Sequence, residues 1–167
     1  MDPKLAILGA EPTVKPPLSA FNAIGPKEKA AVMDFLDKGS LLSGFHGSAR
    51  PSFFGGDQVQ AFEQEWSARF KVKHSISVNS ATSGLMAAMG AIGIGPGDEV
   101  IVPAYTMTAT ALAPLVYGGI PVFVDIEPEY FCLESDLVEK AITPATRAII
   151  AVNLFGHPAE LKRLRAL

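Results

Sequence analysis

Short apolar runs alternate with stretches of helical spacing after His74, and this alternation restricts the fold more than any other feature. The predicted strands are 75–79, 99–103, 121–125 and 147–153. The predicted helices are 82–93, 107–117, 134–142 and a stretch that begins at Ala159. Strands that are apolar on both faces and separated by helices indicate βαβ units on a buried sheet. We therefore predict an α/β fold in which a largely parallel sheet is flanked by helices.

The residues before His74 have a different pattern. Five prolines in 1–26 predict an extended N-terminal arm. Helical spacing follows in 27–38 and 57–70, and an aromatic stripe in the second stretch predicts a helix face packed into the core. The glycine-rich residues 39–56 between them predict a long loop, and such loops in compact domains are usually functional or disordered.

Composition narrows the class of protein further. Almost half of the residues, 49%, are apolar, and the formal net charge is only −3. This balance predicts a globular chain with a sizeable core and argues against a nucleic-acid partner. The longest apolar run, from Leu85 to Ile94, is short and interrupted by glycine, so we expect no membrane span and no leader segment. The single cysteine, Cys132, fits a reducing cytoplasm rather than a disulfide framework.

Small hydroxylated residues stand at the junction between the first predicted strand and the helix that follows it. The sequence there is Ser80-Ala81-Thr82-Ser83-Gly84, directly before an apolar helical stretch. The first N–H groups of a helix have no partner inside it, and the macrodipole leaves partial positive charge there. Such a start can bind a phosphate, or its hydroxyl groups can cap their own helix and bind nothing. Both interpretations are open from these residues alone.

Other candidate side chains lie in predicted loops. Arg50 offers a guanidinium fork that suits a carboxylate or a phosphate, although ordinary solvation is the simpler interpretation. Asp125 and Glu127 follow a predicted strand, where an acid is most often only a cap. His46 and His157 have no second and third ligand at metal spacing, so we predict no metal site.

Several sequence blocks follow one another in a set order along the chain. They include Val78–Leu85, Gly95–Pro103, Thr106–Thr110, Gly119–Ile126, Thr143–Ile150 and Leu154–Ala159. In this order and at this spacing, the blocks resemble the DegT/DnrJ/StrS-type aminotransferases. The resemblance covers nearly the whole chain, and no single block carries it alone.

The resemblance implies a pyridoxal 5'-phosphate enzyme of the aspartate-aminotransferase fold. Enzymes of this family commonly transfer an amino group from glutamate or glutamine to a keto-sugar, often a nucleotide-linked one, or to a keto-cyclitol. We therefore expect a small-molecule amino donor and acceptor, a cytoplasmic location, and a homodimer for the complete enzyme.

The resemblance also implies where the cofactor is held. Its phosphate clamp falls on Ala81, Thr82 and Ser83, with the backbone N–H groups of Thr82 and Ser83 as the expected donors. Met107 takes the position where the family usually has an aromatic residue stacked on the pyridine ring. A thioether can lie against a ring but offers no π face, and packing in the core is the alternative for this side chain. The predicted substrate contacts are Arg50 and Tyr105.

The residues that complete such a site are expected beyond Leu167. The resemblance places there the Schiff-base lysine and the aspartate that pairs with the pyridine nitrogen, so we predict no catalytic residue in this chain. The arm 1–26 and the incomplete cofactor-binding domain 27–167 then form the N-terminal part of an enzyme. Two alternatives stay open. One is a sugar dehydratase of the same fold that keeps the cofactor but replaces the lysine, and the other is a non-catalytic regulatory or binding module.

Overall fold

The computed structural model describes residues 5–14, 23–38 and 55–167. The chain divides into two units on either side of the Ser75–Ile76 bond. We call residues up to Ser75 the helical unit and Ile76–Leu167 the sheet unit. Most of the predicted loop 39–56, with Arg50 in it, lies outside the described residues. The boundary of the predicted arm at residue 26 stays a prediction.

Two helices dominate the helical unit, after a short 3-10 helix at Ala6–Leu8. Helix α1 spans Pro26–Asp37 and α2 spans Asp57–Phe70, which confirms both predicted helices. Proline fits the first position of α1, because its missing N–H would have no helical partner there. The Glu28 carboxylate accepts a hydrogen bond from the Gly25 N–H at 2.7 Å and so closes the start of the helix.

The aromatic stripe of α2 lies along one face of the helix, but it is not buried. Ring centroids of Phe62 and Trp66 are 5.8 Å apart, and those of Trp66 and Phe70 are 4.5 Å apart. Trp66 thus contacts both phenylalanines, yet each of the three side chains is about half exposed, with exposed fractions of 54%, 49% and 55% for Phe62, Trp66 and Phe70. The prediction that this stripe packs into a core is therefore wrong for the chain as described.

Three parallel strands form the sheet of the sheet unit, and β1 (Glu99–Pro103) lies between β2 (Ile120–Val124) and β3 (Thr146–Ile149). The flanking helices are α3 (Ala81–Ala91), α4 (Ala109–Leu115), α5 (Ser135–Ala141) and α6 (Leu161–Leu164). A further 3-10 turn covers Leu154–Gly156. This architecture confirms the α/β prediction with its parallel sheet.

Side chains of β1 alternate between two apolar clusters, one on each face of the sheet. Ile101 belongs to a cluster with Val138 of α5 and Leu164 of α6. Val100 and Val102 belong to the other cluster, whose further members include Met89, Ile94, Ala113 and Ile150. All three β1 side chains are fully buried, which explains why this strand has an uninterrupted apolar sequence.

Two strand predictions are wrong. Residues 75–79 form no strand, and the third strand of the sheet ends at Ile149 rather than at residue 153. A strand needs a ladder partner as well as β-branched residues, and no described segment pairs with 75–79. Beyond Ile149, the Ile150 N–H still donates to the Ile101 carbonyl oxygen at 2.9 Å, and the pairing stops there. Among the described residues, no helix combines the length and apolar character needed to cross a bilayer.

Candidate functional site

The candidate site lies where the strands end. We use the term carboxyl edge for the segments 104–108, 125–132 and 150–157, which follow β1, β2 and β3, together with the start of α3. Helix α3 is about 16 Å long at 1.5 Å per residue, which matches the length of β1. The chain passes from the end of α3 to the start of β1, and Met89 of α3 packs in the same apolar cluster as Val100 and Val102. We therefore expect the first turn of α3 to lie level with the ends of the strands. Ligands of parallel α/β sheets bind at this edge.

Hydrogen bonding at the start of α3 satisfies only part of the helix terminus. The Ser80 hydroxyl oxygen accepts a hydrogen bond from the Ser83 N–H at 3.1 Å and lies 3.0 Å from the Ser83 hydroxyl. Within the described part of the chain, the N–H groups of Ala81 and Thr82 have no acceptor. The capping interpretation therefore holds for one N–H group, and two others stay open to an anion.

This arrangement suits a phosphate group, with one change from the sequence prediction. The family resemblance predicts the Ser83 N–H as a phosphate donor, but in the structure this N–H donates to the Ser80 hydroxyl oxygen. The open donors are instead the N–H groups of Ala81 and Thr82, beside the half-buried Thr82 and Ser83 side chains. Positive charge from the macrodipole of an eleven-residue helix reinforces them.

Met107 and Tyr105 follow β1 on the carboxyl edge. Met107 is 77% exposed, so the core-packing alternative does not describe this side chain. The Tyr105 ring is half exposed and lies 6.0 Å from the Phe131 ring, measured between centroids. Thr106 and Thr110 share a hydrogen bond of 3.0 Å that ties the loop to α4.

Aromatic side chains form a second feature of this edge, which the sequence analysis missed. Phe131 contacts Tyr105 on one side and Phe155 on the other, where the centroids are 6.1 Å apart and the rings stand edge to face. Tyr130 stacks on His157 at 3.9 Å. Aromatic residues after each of the three strands were the available signal. We call Tyr105, Phe131 and Phe155 the aromatic cluster.

Acidic side chains after β2 act as caps, as predicted. Asp125 accepts a hydrogen bond from the Ile126 N–H at 2.8 Å. The Glu127 carboxylate accepts from three backbone N–H groups, and the Tyr130 and Cys132 N–H groups contribute most to holding its pKa below the usual range. The hydrogen bonds of both acids go to backbone N–H groups. The described residues contain no cluster of three or more metal-ligating side chains.

Among the predicted site residues, Ala81, Thr82 and Ser83 lie in the first turn of α3. Tyr105 and Met107 lie in the loop between β1 and α4. That these two groups form one site stays a prediction. Arg50 lies outside the described residues. None of the carboxyl-edge segments contains a lysine. The prediction that the catalytic lysine lies beyond Leu167 stays a prediction.

Comparison with known proteins identifies the family. The model of the DegT/DnrJ/EryC1/StrS aminotransferase family matches residues 48–167. The chain belongs to this family. Within the DegT/DnrJ/EryC1/StrS family, the chain is 39% identical over 149 residues to dTDP-3-amino-3,4,6-trideoxy-alpha-D-glucose transaminase of Streptomyces venezuelae. That alignment covers 89% of this chain and 36% of the relative.

Two further relatives extend the comparison. L-glutamine:2-deoxy-scyllo-inosose aminotransferase of Streptomyces paromomycinus is 36% identical, over 100% of this chain and 38% of its own length. The solved structure of the putative sugar aminotransferase Spr1654 from Streptococcus pneumoniae in its PLP-form is 34% identical, with a TM-score of 0.76. The match covers 86% of this chain and 33% of that structure. The chain thus spans about a third of the length of these family members.

Proposed function

We propose that this chain forms the N-terminal part of a pyridoxal-phosphate-dependent aminotransferase. The proposed reaction moves an amino group from glutamate or glutamine to a keto-sugar, in particular a nucleotide-linked one, or to a keto-cyclitol. The observation that carries the proposal is the start of α3, where two N–H groups remain open on the carboxyl edge. Membership of an aminotransferase family supports the reaction type.

The cofactor phosphate would be held by the N–H groups of Ala81 and Thr82, with the Thr82 and Ser83 hydroxyls beside them. Ser80 orients this site indirectly, because its bond to the Ser83 N–H fixes the first turn of α3. Met107 would lie against the pyridine ring through its polarizable sulfur. When bound, pyridoxal phosphate supplies an electron sink for the amino-group chemistry.

Substrate recognition is proposed for the loop after β1 and for Arg50. Tyr105 presents a half-exposed ring and a phenol hydroxyl at the carboxyl edge, so it can contact a sugar or cyclitol through both. Glutamine and a cyclitol occur in the name of one relative, and a dTDP-linked sugar occurs in the name of another. We further propose that the complete enzyme is a cytoplasmic homodimer whose catalytic lysine lies beyond Leu167.

A binding titration with one charge change tests the phosphate site. Ser83→Asp adds a carboxylate in the first turn of α3, where a negative charge stabilises the helix by about 0.3–1 kcal/mol. The same carboxylate repels a bound phosphate, so we expect pyridoxal-phosphate affinity to fall by about tenfold or more, equivalent to about 1.4 kcal/mol or more. Fold and binding therefore respond in opposite directions.

The matched control is Ala166→Asp, which adds the same charge at an exposed residue after α6. Equilibrium dialysis of the unmodified chain and both variants against pyridoxal phosphate, followed by absorbance, gives the affinities. Loss of affinity in Ser83→Asp alone supports the site. Equal affinity in all three proteins would show that the cofactor phosphate does not bind at the start of α3.

Borohydride reduction tests where the lysine lies. The described lysines of the sheet unit, Lys140 and Lys162, are exposed residues of α5 and α6 and do not belong to the carboxyl edge. We therefore expect no stoichiometric pyridoxyl adduct when the chain is reduced with excess pyridoxal phosphate. Peptide mass mapping reads the result, and one fully modified lysine would place the reactive amine inside this chain.

A further inference from the structure

The turn after β2 is closed by one side chain. Oε2 of Glu127 accepts hydrogen bonds from the N–H groups of Glu129 at 2.8 Å and Tyr130 at 2.9 Å. Oε1 accepts from the Cys132 N–H at 2.8 Å. Two backbone bonds add to these, from the Glu127 N–H to the Cys132 carbonyl oxygen and from the Phe131 N–H to the Glu127 carbonyl oxygen. The carboxylate thus binds the three N–H groups of the turn that make no backbone hydrogen bond, those of Glu129, Tyr130 and Cys132.

Phe131 has a backbone conformation that the turn must enforce. Its φ is +61°, in the left-handed region, which is unfavourable for a residue with a large side chain. A residue stays in this conformation only when surrounding interactions determine it. Here the Glu127 carboxylate binds the N–H groups on both sides of Phe131, those of Tyr130 and Cys132.

This conformation decides where the Phe131 ring lies. With the turn closed, the ring contacts Tyr105 after β1 and Phe155 after β3, so the aromatic cluster joins the ends of all three strands. Phe155 also has a left-handed backbone, with φ +52°. The cluster therefore depends on local backbone geometry more than on burial, because all three rings are exposed.

We propose that Glu127 is a positioning residue of the carboxyl edge. Its carboxylate holds the turn Glu127–Cys132 in the form that keeps Phe131 between Tyr105 and Phe155, and the resulting aromatic surface receives the apolar ring face of the acceptor. The acceptor part rests on the proposed function, because it needs a sugar or cyclitol substrate at this edge. Aromatic side chains in ligand sites commonly supply such apolar contact area.

A carboxylate suits this role better than an amide. Both oxygens of ionised Glu127 act as acceptors, and three N–H groups face them. Glutamine at this position would offer one oxygen and one NH₂ donor, so at least one backbone N–H would face another donor. Each hydrogen bond lost from such a group is equivalent to about a tenfold change in an opening equilibrium.

The first experiment uses the ligand-free chain. Nuclear Overhauser contacts between the rings of Tyr105 and Phe131, and hydrogen exchange at the Cys132 N–H, are measured in wild type, Glu127→Gln and Glu127→Asp. We expect Glu127→Gln to lose the ring contact and to exchange about tenfold faster at Cys132. Partial recovery is expected in Glu127→Asp, which restores both acceptor oxygens. Glu139→Gln, at an exposed residue of α5, is the control for the charge change.

Acid titration of the wild-type chain gives a readout that needs no variant. Among the described residues, His157 and Tyr130 are the titratable side chains that interact with the Glu127 carboxylate, and the Glu129 side chain hydrogen-bonds to Tyr130. Since the pKa of Glu127 is lowered, the ring contact should persist above the ordinary carboxyl range and disappear as the pH falls through the lowered value. A ring contact that survives both acid and Glu127→Gln would overturn the positioning role.

The second experiment adds a sugar nucleotide probe, dTDP-glucose. Binding should shift the ring signals of the aromatic cluster, and its affinity should fall about tenfold in Glu127→Gln but not in Glu139→Gln. A lost ring contact with unchanged dTDP-glucose affinity would overturn the link to the acceptor. If the wild type shows the ring contact but binds no dTDP-glucose at all, the positioning of Phe131 stands and the nucleotide-linked sugar of the proposed function fails.

Discussion

The two units differ in where they place their apolar side chains. In the sheet unit, Val102 of β1 is 0% exposed within one of two apolar clusters. In the helical unit, Val32 of α1 is 58% exposed, and no residue of α1 or α2 is buried. Valine is therefore buried in an apolar core in the sheet unit and exposed on a helix face in the helical unit.

This difference explains why the candidate site belongs to the sheet unit. A helix gains most of its stability from packing its apolar face, which α1 and α2 do not do among the described residues. In contrast, the central strand of the carboxyl edge, β1, is buried on both faces. The candidate site thus belongs to the unit that has a packed apolar core.

The same substitution in both units should give very different losses of stability. Val102→Ala removes buried methyl groups from β1, and we expect the free energy of unfolding to fall by about 2 kcal/mol. Val32→Ala removes exposed methyl groups from a helix, where we expect a change within about 0.5 kcal/mol. Urea unfolding followed by circular dichroism measures both. Equal losses would show that α1 packs as tightly as β1.

The aromatic stripe of α2 should contribute less than a buried stripe. Trp66→Ala removes ring contacts with Phe62 and Phe70, and we expect a loss of about 0.5–1.5 kcal/mol. Replacing a fully buried tryptophan by alanine would lower the free energy of unfolding by about 3–5 kcal/mol. Trp66→Phe keeps an aromatic ring in place and serves as the control, with a smaller loss. A loss above about 3 kcal/mol for Trp66→Ala would mean that the stripe is packed in solution.

The two units also contain comparable acidic caps, which allow a smaller and finer test. The pKa of Glu28 is lowered by its own N–H and that of Gly25, and the pKa of Glu127 is lowered by the N–H groups of Tyr130, Cys132 and Glu129. A carboxyl whose folded pKa is lowered stabilises the fold above its unfolded pKa, and this contribution disappears as the pH falls through the folded pKa.

Carboxyl carbon NMR in an acid titration measures both groups. We expect both to titrate below the ordinary value of 4.5, with Glu127 the lower of the two because more N–H groups from other residues bind it. As the pH falls, the start of α1 should therefore lose its Glu28 hydrogen bonds at a higher pH than the turn after β2 loses those of Glu127. The reverse order would mean that the cap of the helical unit is the stronger one.

Sequence patterns predicted the elements whose signal is local. Strand 99–103 and helix 57–70 were predicted with the bounds that the structure has, because a doubly buried strand and a regular helical spacing are visible in one segment. The predicted strand 75–79 had β-branched residues but no partner, and partners cannot be read from a single segment.

The site could be predicted only in part for the same reason. The hydroxyl-rich start of α3 is a local motif, so a helix start that could bind a phosphate is visible in the sequence, and the family resemblance assigns the clamp to Ala81, Thr82 and Ser83. Which N–H groups remain open depends on the Ser80 rotamer, which sequence does not specify. The aromatic cluster depends on a left-handed Phe131 and on contacts across three strand ends, which no spacing rule describes.

Amide NMR of the whole chain tests the central claim, that the start of α3 holds a phosphate. Titration with pyridoxal phosphate should shift the Ala81 and Thr82 N–H signals in a saturable way, and inorganic phosphate should shift the same signals more weakly. Pyridoxal without its phosphate should leave them nearly unchanged. Saturable shifts at Ala81 and Thr82 that require the phosphate are the predicted result. Binding that leaves both signals in place, or that pyridoxal reproduces fully, would contradict the account.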